Sequence, residues 1–185
     1  MLNDIRKKEL ETLLQWAACA NDKYYFNMSE ELFGESILGK ENLFKPYIYQ
    51  REIGFEEFKD EMSKKLAVIS SAEELQYMIV SYNFDGAPWV IEQLTMNPAC
   101  DIFSAKIAYW RCSPAYYYSN FGSPSNYPAN KINASWANLL VKIEDKANSM
   151  GFIDVLPSVD DIKIEQPSGI DFSSEPYSCL PEALR

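Results

Sequence analysis

Apolar residues recur at the spacing of an amphipathic helix in three separate segments of the chain, residues 3–19, 55–66 and 133–150. Positions three or four residues apart lie on one face of a helix and leave the polar side chains on the other face. The apolar positions are Leu10, Leu13, Leu14 and Ala17 in the first segment, Phe55, Phe58, Met62 and Leu66 in the second, and Trp136, Leu139, Leu140, Ile143, Ala147 and Met150 in the third. The pattern predicts three helices, the last of which ends at Gly151.

Three further helices are predicted within residues 71–114, where local start and stop signals divide the chain. Residues 71–74 have the form of a capping box, in which Ser71 accepts from the amide of the first turn and the Glu74 carboxylate reaches back to it. The breaks and starts that follow are marked by Asp85-Gly86, Pro88, Pro98, Asp101 and Pro114. The breaks are short, so the three helices are expected to pack as neighbours.

The remaining segments are predicted to be mostly irregular. Residues 21–54 mix glycine and proline with aromatic residues and are expected to contain only short helical pieces. Residues 113–130 contain no charged residue and are expected to form a long aromatic loop, and residues 151–185 an irregular tail that wraps the body, with room for one minor pair of short strands. The sequence thus predicts a single all-α domain over residues 1–185, a compact multi-helix bundle.

The 185 residues include no histidine, which excludes more chemistry than any other feature of the composition. Ser/His/Asp triads, Cys/His dyads and histidine-ligated metal sites cannot be built from this chain. The cysteines at positions 19, 100, 112 and 179 lack the spacing of metal ligands and are expected to be reduced thiols. We therefore expect no catalytic residue, no metal site and no cofactor.

The charge balance favours a basic protein partner. The chain has 17 basic and 27 acidic residues, a net charge of -10, which repels nucleic acids and anionic lipid surfaces. Residues 21–62 are especially acidic, with ten acidic and five basic side chains. No secretory signal and no apolar run long enough for a membrane span is recognised, so a cytoplasmic protein without nucleic-acid or membrane partners is expected.

The central segment resembles a bacterial family, the domain-of-unknown-function family 4274. The residues that carry the resemblance, within residues 71–114, are Tyr82-Asn83-Phe84-Asp85-Gly86, Ile91 to Leu94, Asn97-Pro98-Ala99-Cys100-Asp101, Ser104-Ala105 and Ile107-Ala108-Tyr109-Trp110. Two positions depart from the family pattern, because Ser104 stands in place of threonine and Phe84 in place of tryptophan. The resemblance implies a small helical domain and no established activity.

The uncharged aromatic segment supplies the candidate contact residues. Tyrosine offers rigid contact area at a small entropy cost, and serine and asparagine adapt their hydrogen bonds, which is typical of binding loops. A structural loop explains the same composition, and that alternative stays open. The candidate contacts are Tyr116, Tyr117, Tyr118, Phe121 and Tyr127, with Asp154, Asp160, Asp161 and Glu165 as a charged rim.

Three classes of function are compatible with these features. The first is an acidic immunity protein that neutralises a basic, nuclease-type bacterial toxin by stoichiometric binding. The second is a regulatory or scaffold module that binds another protein through the same residues. The third is a carboxylate-dependent hydrolase, which requires two carboxylates facing each other in a concave site. The sequence favours the first, with no enzymatic activity.

Overall fold

The computed structural model of the chain describes residues 2–86, 88–156, 166 and 168–185. Its helices, in chain order, are α1 (Asp4–Cys19), α2 (Glu30–Ile37), α3 (Lys45–Ile53), α4 (Phe55–Ala67), α5 (Ala72–Ser81), α6 (Pro88–Met96), α7 (Ile102–Arg111), α8 (Pro114–Phe121) and α9 (Ala134–Asn148), with short 3-10 helices at Pro124–Asn126, Tyr177–Cys179 and Glu182–Leu184. The described ranges contain no β-strand, and a single parallel bridge joins Asp101 to Ile153. The all-α prediction is confirmed, and the described residues show no strand pair beyond this bridge.

Local capping chemistry sets several helix starts, including the predicted one at Ser71. The Asn3 side chain accepts from the amide of Arg6 at 2.8 Å, and the Ser71 hydroxyl accepts from the amide of Glu74 at 3.4 Å. The second half of the predicted capping box is wrong. The Glu74 carboxylate binds the Arg6 guanidinium at 2.7 and 3.1 Å, so it joins α5 to α1. A charged partner 68 residues away competes successfully with the local backbone amide.

The long aromatic loop was the main error in the predicted architecture, because its first half is helix α8. Pro114 occupies the first turn, where no amide donor is needed, and Gly122 follows the last residue with φ +78°. The amide of Gly122 donates to the carbonyl of Tyr118 at 2.9 Å and closes the helix. Proline at the start and glycine at the stop are therefore the signals that the aromatic composition obscured.

The core is one continuous cluster of buried side chains that reaches from Leu10 in α1 to Leu184 near the end of the chain. Helix α7 lies at its centre and contacts α5, α6, α8 and α9, while α1 packs on both α4 and α5. Tyr109 and Trp110 of α7 are almost fully buried. Apart from Lys106, the partly exposed residues of α7 lie at its two ends.

The described part of the C-terminal tail, residues 168–185, lies on the helical body. Leu180 and Leu184 are buried, and the Trp110 indole nitrogen donates to the carbonyl of Leu184 at 2.8 Å. Phe172 stacks edge-on to Trp110 with ring centroids 6.1 Å apart. The tail thus covers one side of α7.

Three of the four cysteines, Cys19, Cys100 and Cys112, are buried, whereas Cys179 in the tail is exposed.

No helix in residues 2–86, 88–156, 166 and 168–185 combines the length and apolar character that crossing a bilayer requires.

Candidate functional site

A concave site of about 460 Å³ lies where the end of α7, the start of α8 and the start of α9 meet the turn that precedes α6. We call it the aromatic groove. Its lining residues are Phe84, Asp85, Arg111, Cys112, Ser113, Tyr116, Tyr117, Asn133 and Trp136. Four of these nine residues are aromatic, and polar and charged residues lie between them.

A tight turn between α5 and α6 positions the first wall. The amide of Asp85 donates to the Asn83 side chain at 3.1 Å, and the amide of Gly86 donates to the Asn83 carbonyl at 3.0 Å. Gly86 is required because an added Cβ would lie 2.8 Å from the hydroxyl of Tyr82. The turn holds Phe84 against Trp136, with ring centroids 6.3 Å apart and planes at 26°.

The second wall follows from the sharp connection between α7 and α8. Ser113 has φ 56° and ψ 51°, a left-handed conformation that non-glycine residues seldom adopt. This single residue turns the chain so that Tyr116 borders the groove. The Tyr116 ring meets Tyr117 edge-on at 5.2 Å and Phe121 at 5.9 Å. Strained backbone of this kind is often found at binding sites.

The groove carries one charge of each sign. The Arg111 guanidinium donates to the carbonyl of Val80 at 2.8 Å and lies 5.5 Å from the centroid of Phe84. Asp85, which also lines the groove, is exposed. The net charge of the lining is therefore near zero, unlike that of the whole chain.

Burial keeps the Tyr117 hydroxyl and the Cys112 thiol of the groove neutral. It raises the pKa of Tyr117 to about 12, so the hydroxyl stays protonated and donates to the carbonyl of Asn133 at 3.4 Å. Burial also raises the pKa of the Cys112 thiol well above its usual range. A thiol without thiolate character is a poor nucleophile, and Cys112 acts here as an apolar lining group.

Four of the five predicted aromatic contacts come together beside the groove. Tyr116, Tyr117, Phe121 and Tyr127 form one cluster of ring contacts, with Phe121 and Tyr127 4.9 Å apart and Tyr117 and Tyr127 5.2 Å apart. Tyr116 is 47% exposed, Phe121 and Tyr127 are half-buried, and Tyr117 is 3% exposed. Tyr116 is therefore the most accessible member of the cluster, and Tyr117 is corrected to a buried residue.

Tyr118 is corrected to a core residue, because it is 2% exposed and points away from this cluster. Its hydroxyl donates to Oε1 of Glu144 at 3.0 Å, and the Tyr109 hydroxyl donates to the same oxygen at 2.6 Å. Each residue of a helix turns the side-chain direction by about 100°, so Tyr116 and Tyr118, two positions apart, point to opposite faces of α8.

Asp154, the described residue of the predicted acidic rim, does not lie beside the aromatic residues. Asp154 is exposed, but it follows Ile153, whose carbonyl accepts from the amide of Ile102 at 2.8 Å at the start of α7. The groove lies at the other end of α7, about 15 Å away along the helix axis. Asp154 is therefore corrected to a residue distant from the groove. Asp160, Asp161 and Glu165 lie outside the described residues.

The side chain of Asp101 fixes the position of the segment that contains Asp154. One oxygen of its buried carboxylate accepts from the amide of Phe103 at 2.8 Å and caps α7, as predicted. The other oxygen accepts from the amides of Val155 and Leu156 at 2.8 and 3.1 Å. The helix cap thus also fixes the chain that follows α9.

Sequence reasoning missed several groove residues, including Phe84, Arg111, Asn133 and Trp136. Each stands at the end of a predicted helix or in a predicted turn, which was the available signal. No group of three or more potential metal ligands comes together in the part of the chain that the structure describes.

Residues 70–147 match the family described as Domain of unknown function (DUF4274), which confirms the resemblance found in the central segment. The match extends that segment through α8 and over almost all of α9. Every residue that lines the aromatic groove lies inside it. No curated protein and no solved structure matches the chain.

Proposed function

We propose that this protein acts by stoichiometric binding to another protein, that the aromatic groove is a contact surface, and that the partner is a basic toxin which the binding neutralises. The observation that supports the proposal is the groove itself. Accessible rings of Tyr116, Phe84 and Trp136 surround a concave volume of about 460 Å³. Aromatic side chains in such a setting are typical energetic anchors of protein interfaces.

The polar groups of the groove suit a protruding apolar side chain flanked by a cation. Phe84 and Trp136 offer flat apolar surfaces, and the exposed Asp85 carboxylate accepts from a donor beside them. A lysine or arginine next to the inserted side chain would provide that donor. The lining includes one carboxylate, whereas the hydrolase hypothesis requires two, so binding is the better-supported class.

The partner's basic character is supported by the charge of the whole chain. A net charge of -10 raises the rate of encounter with a cationic protein and suppresses encounter with anionic ones. Because the groove lining is nearly neutral, the attraction comes from the rest of the surface. Mutation of groove residues is therefore expected to change the dissociation rate more than the association rate.

The direct experiment pairs this protein with the products of the reading frames adjacent to its gene. We expect one-to-one binding by titration calorimetry and recovery of growth in cells that express the toxin. The variants Trp136→Ala and Tyr116→Ala should weaken binding by about tenfold or more. Trp89→Ala is the matched control, because Trp89 is also half-buried but lies outside the groove lining.

Different outcomes separate the competing hypotheses. Binding without rescue, to a partner that is not toxic, supports the regulatory or scaffold alternative and overturns the immunity role. Equal losses for the Trp136 and Trp89 variants would remove the groove from the interface. No binding to any adjacent product, together with turnover of a small molecule by the purified protein, would overturn the proposal as a whole.

A further inference from the structure

Helix α2 is attached to the body through one face only. Phe33 is its buried residue, and the Arg51 guanidinium lies 4.6 Å from the centroid of that ring. Arg51 also lies within hydrogen-bonding distance of three backbone carbonyls in residues 25–28, at 2.7–3.1 Å, and pairs with Glu30. Arg51 of α3 and the Tyr25 ring, whose centroid lies 6.3 Å from that of Phe33, thus contact one face of α2, and Glu31, Leu32 and Glu35 are exposed.

The solvent face of α2 combines leucine with glutamate. Glu31, Glu35 and Leu38 follow at i, i+4 and i+7, so they share one face, and Leu32 lies at its edge. Leu32 is 58% exposed and Leu38 is 78% exposed, while Leu43 in the following turn is 77% exposed. We call these five residues the α2 face.

The exposed leucines are concentrated here. Within residues 2–86, 88–156, 166 and 168–185, every leucine classed as exposed lies between positions 32 and 43. Single exposed apolar residues are ordinary on protein surfaces, but three exposed leucines within residues 32–43, in α2 and the turns that follow it, form a candidate interaction site. This element lies outside the segment of residues 70–147 that matches the family.

We propose that the α2 face binds a basic amphipathic segment of a protein, with apolar side chains of that segment on Leu32, Leu38 and Leu43. Lysine or arginine side chains of the segment pair with Glu31 and Glu35. Charge complementarity supports this occupant, because residues 21–62 contain ten acidic and five basic side chains. The surface is separate from the aromatic groove, and the inference does not depend on the function proposed for the groove.

The same charges disfavour two other occupants. A second copy of this chain docked through the same face would bring glutamates against glutamates. An anionic lipid surface would be repelled in the same way. A basic segment is the occupant for which both the leucines and the glutamates gain a partner.

The test uses a synthetic helical peptide of about 18 residues with leucines on one face and lysines on the other. In a titration of the ¹⁵N-labelled full chain, the amide signals of residues 31–43 are expected to shift and the Trp136 indole signal to stay constant. Leu32→Ser combined with Leu38→Ser should weaken binding by about tenfold or more. Glu31→Gln combined with Glu35→Gln should weaken it and reduce its dependence on salt.

Two controls keep the result interpretable. Val68→Ser removes an apolar side chain that is 78% exposed, as Leu38 is, but lies at the end of α4, and it should leave the affinity unchanged. A peptide of the same composition in scrambled order, without an apolar face, should bind at least about tenfold more weakly. Equal binding of the two peptides, no shifts in residues 31–43, or equal effects of the Leu and Val variants would overturn the inference. A shift at Trp136 alone would assign the peptide to the groove.

Discussion

Removal of the Glu144 carboxylate should be among the more destabilising single changes in α9. Its Oε1 atom accepts the hydroxyls of Tyr109 at 2.6 Å and Tyr118 at 3.0 Å, and these tyrosines are 0% and 2% exposed. Glu144→Ala leaves two buried hydroxyls without an acceptor, at a cost of about 1–3 kcal/mol each. Relief from burying the carboxylate offsets part of this, so we expect a net loss of about 2–4 kcal/mol in the free energy of unfolding.

The Gln variant separates the charge of Glu144 from its role as an acceptor. The side-chain oxygen of Glu144→Gln still accepts from both hydroxyls, so we expect this variant to lie within about 1 kcal/mol of the natural protein at neutral pH. Asp145→Ala is the matched control, since Asp145 is the exposed neighbour of Glu144 on α9, and its effect should stay within about 0.5 kcal/mol. Urea unfolding followed by circular dichroism measures all three.

The pH dependence provides a second readout of the same site. Burial raises the pKa of Glu144 in the folded protein above its usual range, despite the two tyrosine hydrogen bonds that lower it. The folded state therefore binds this proton more tightly than the unfolded state, whose pKa is about 4.3. As the pH rises from there through the folded-state pKa, the natural protein loses stability relative to Glu144→Gln, and the difference is constant at higher pH.

These expectations can fail in two independent ways. A loss below about 0.5 kcal/mol for Glu144→Ala, equal to that of the Asp145 control, would show that the two tyrosine hydroxyls find other partners. A stability difference between the natural protein and Glu144→Gln that is the same at pH 4 and pH 7.5 would show that burial does not perturb this carboxylate.

Three further predictions concern other positions, each measured by the free energy of unfolding. Gly86→Ala should cost about 1–3 kcal/mol, because its Cβ would lie 2.8 Å from the hydroxyl of Tyr82. Gly34→Ala, inside α2 with no atom within 4 Å of the added Cβ, should stabilise the protein by about 0.5–1 kcal/mol, and a change of stability in the same direction for both variants would contradict this prediction. Arg51→Ala should cost about 1–3 kcal/mol and speed amide exchange in residues 25–37, and the exposed Lys40→Ala should do neither. Asp101→Ala removes the acceptor of three backbone amides and should cost about 2–4 kcal/mol, and a loss typical of a simple cap, near 1 kcal/mol, would show that the chain after α9 does not need it.

The helices that sequence could predict are those whose ends depend on nearby residues. Asn3, Ser71 and Asp101 cap amides two or three positions away, and Pro88 begins α6 as expected. The end of α9 shows the limit of this reasoning. Met150 takes the left-handed conformation with φ 52°, in place of the expected glycine at the next position. Local sequence signals predict that a helix ends with a left-handed residue more reliably than they predict which residue takes that conformation.

Glu144 and the groove were missed for different reasons. Glu144 stands four residues after Leu140 and three before Ala147, within the apolar stripe of α9, so its position was a usable signal for a half-buried acid. The groove depends on which helix ends meet, and that is decided by packing between residues far apart in the chain. Its partners Phe84 and Trp136 are separated by more than fifty residues, and no local pattern predicts their contact.

The segment that matches the family cannot close its own core. Within residues 70–147, α5 packs on α1, α6 packs on α4, and α7 is covered by the last 3-10 helix. Trp110 illustrates the dependence, since its indole donates to the carbonyl of Leu184. Without those flanking elements the inner faces of α5 and α7 would be exposed to water, and burial of apolar area supplies most of the stability of a small domain.

The aromatic groove lies inside the matched segment, whereas the α1, α4 and tail residues that hold the segment together lie outside it. Binding measurements on the groove therefore need the full chain, because a fragment limited to residues 70–147 would lose the packing that orients Phe84, Tyr116 and Trp136.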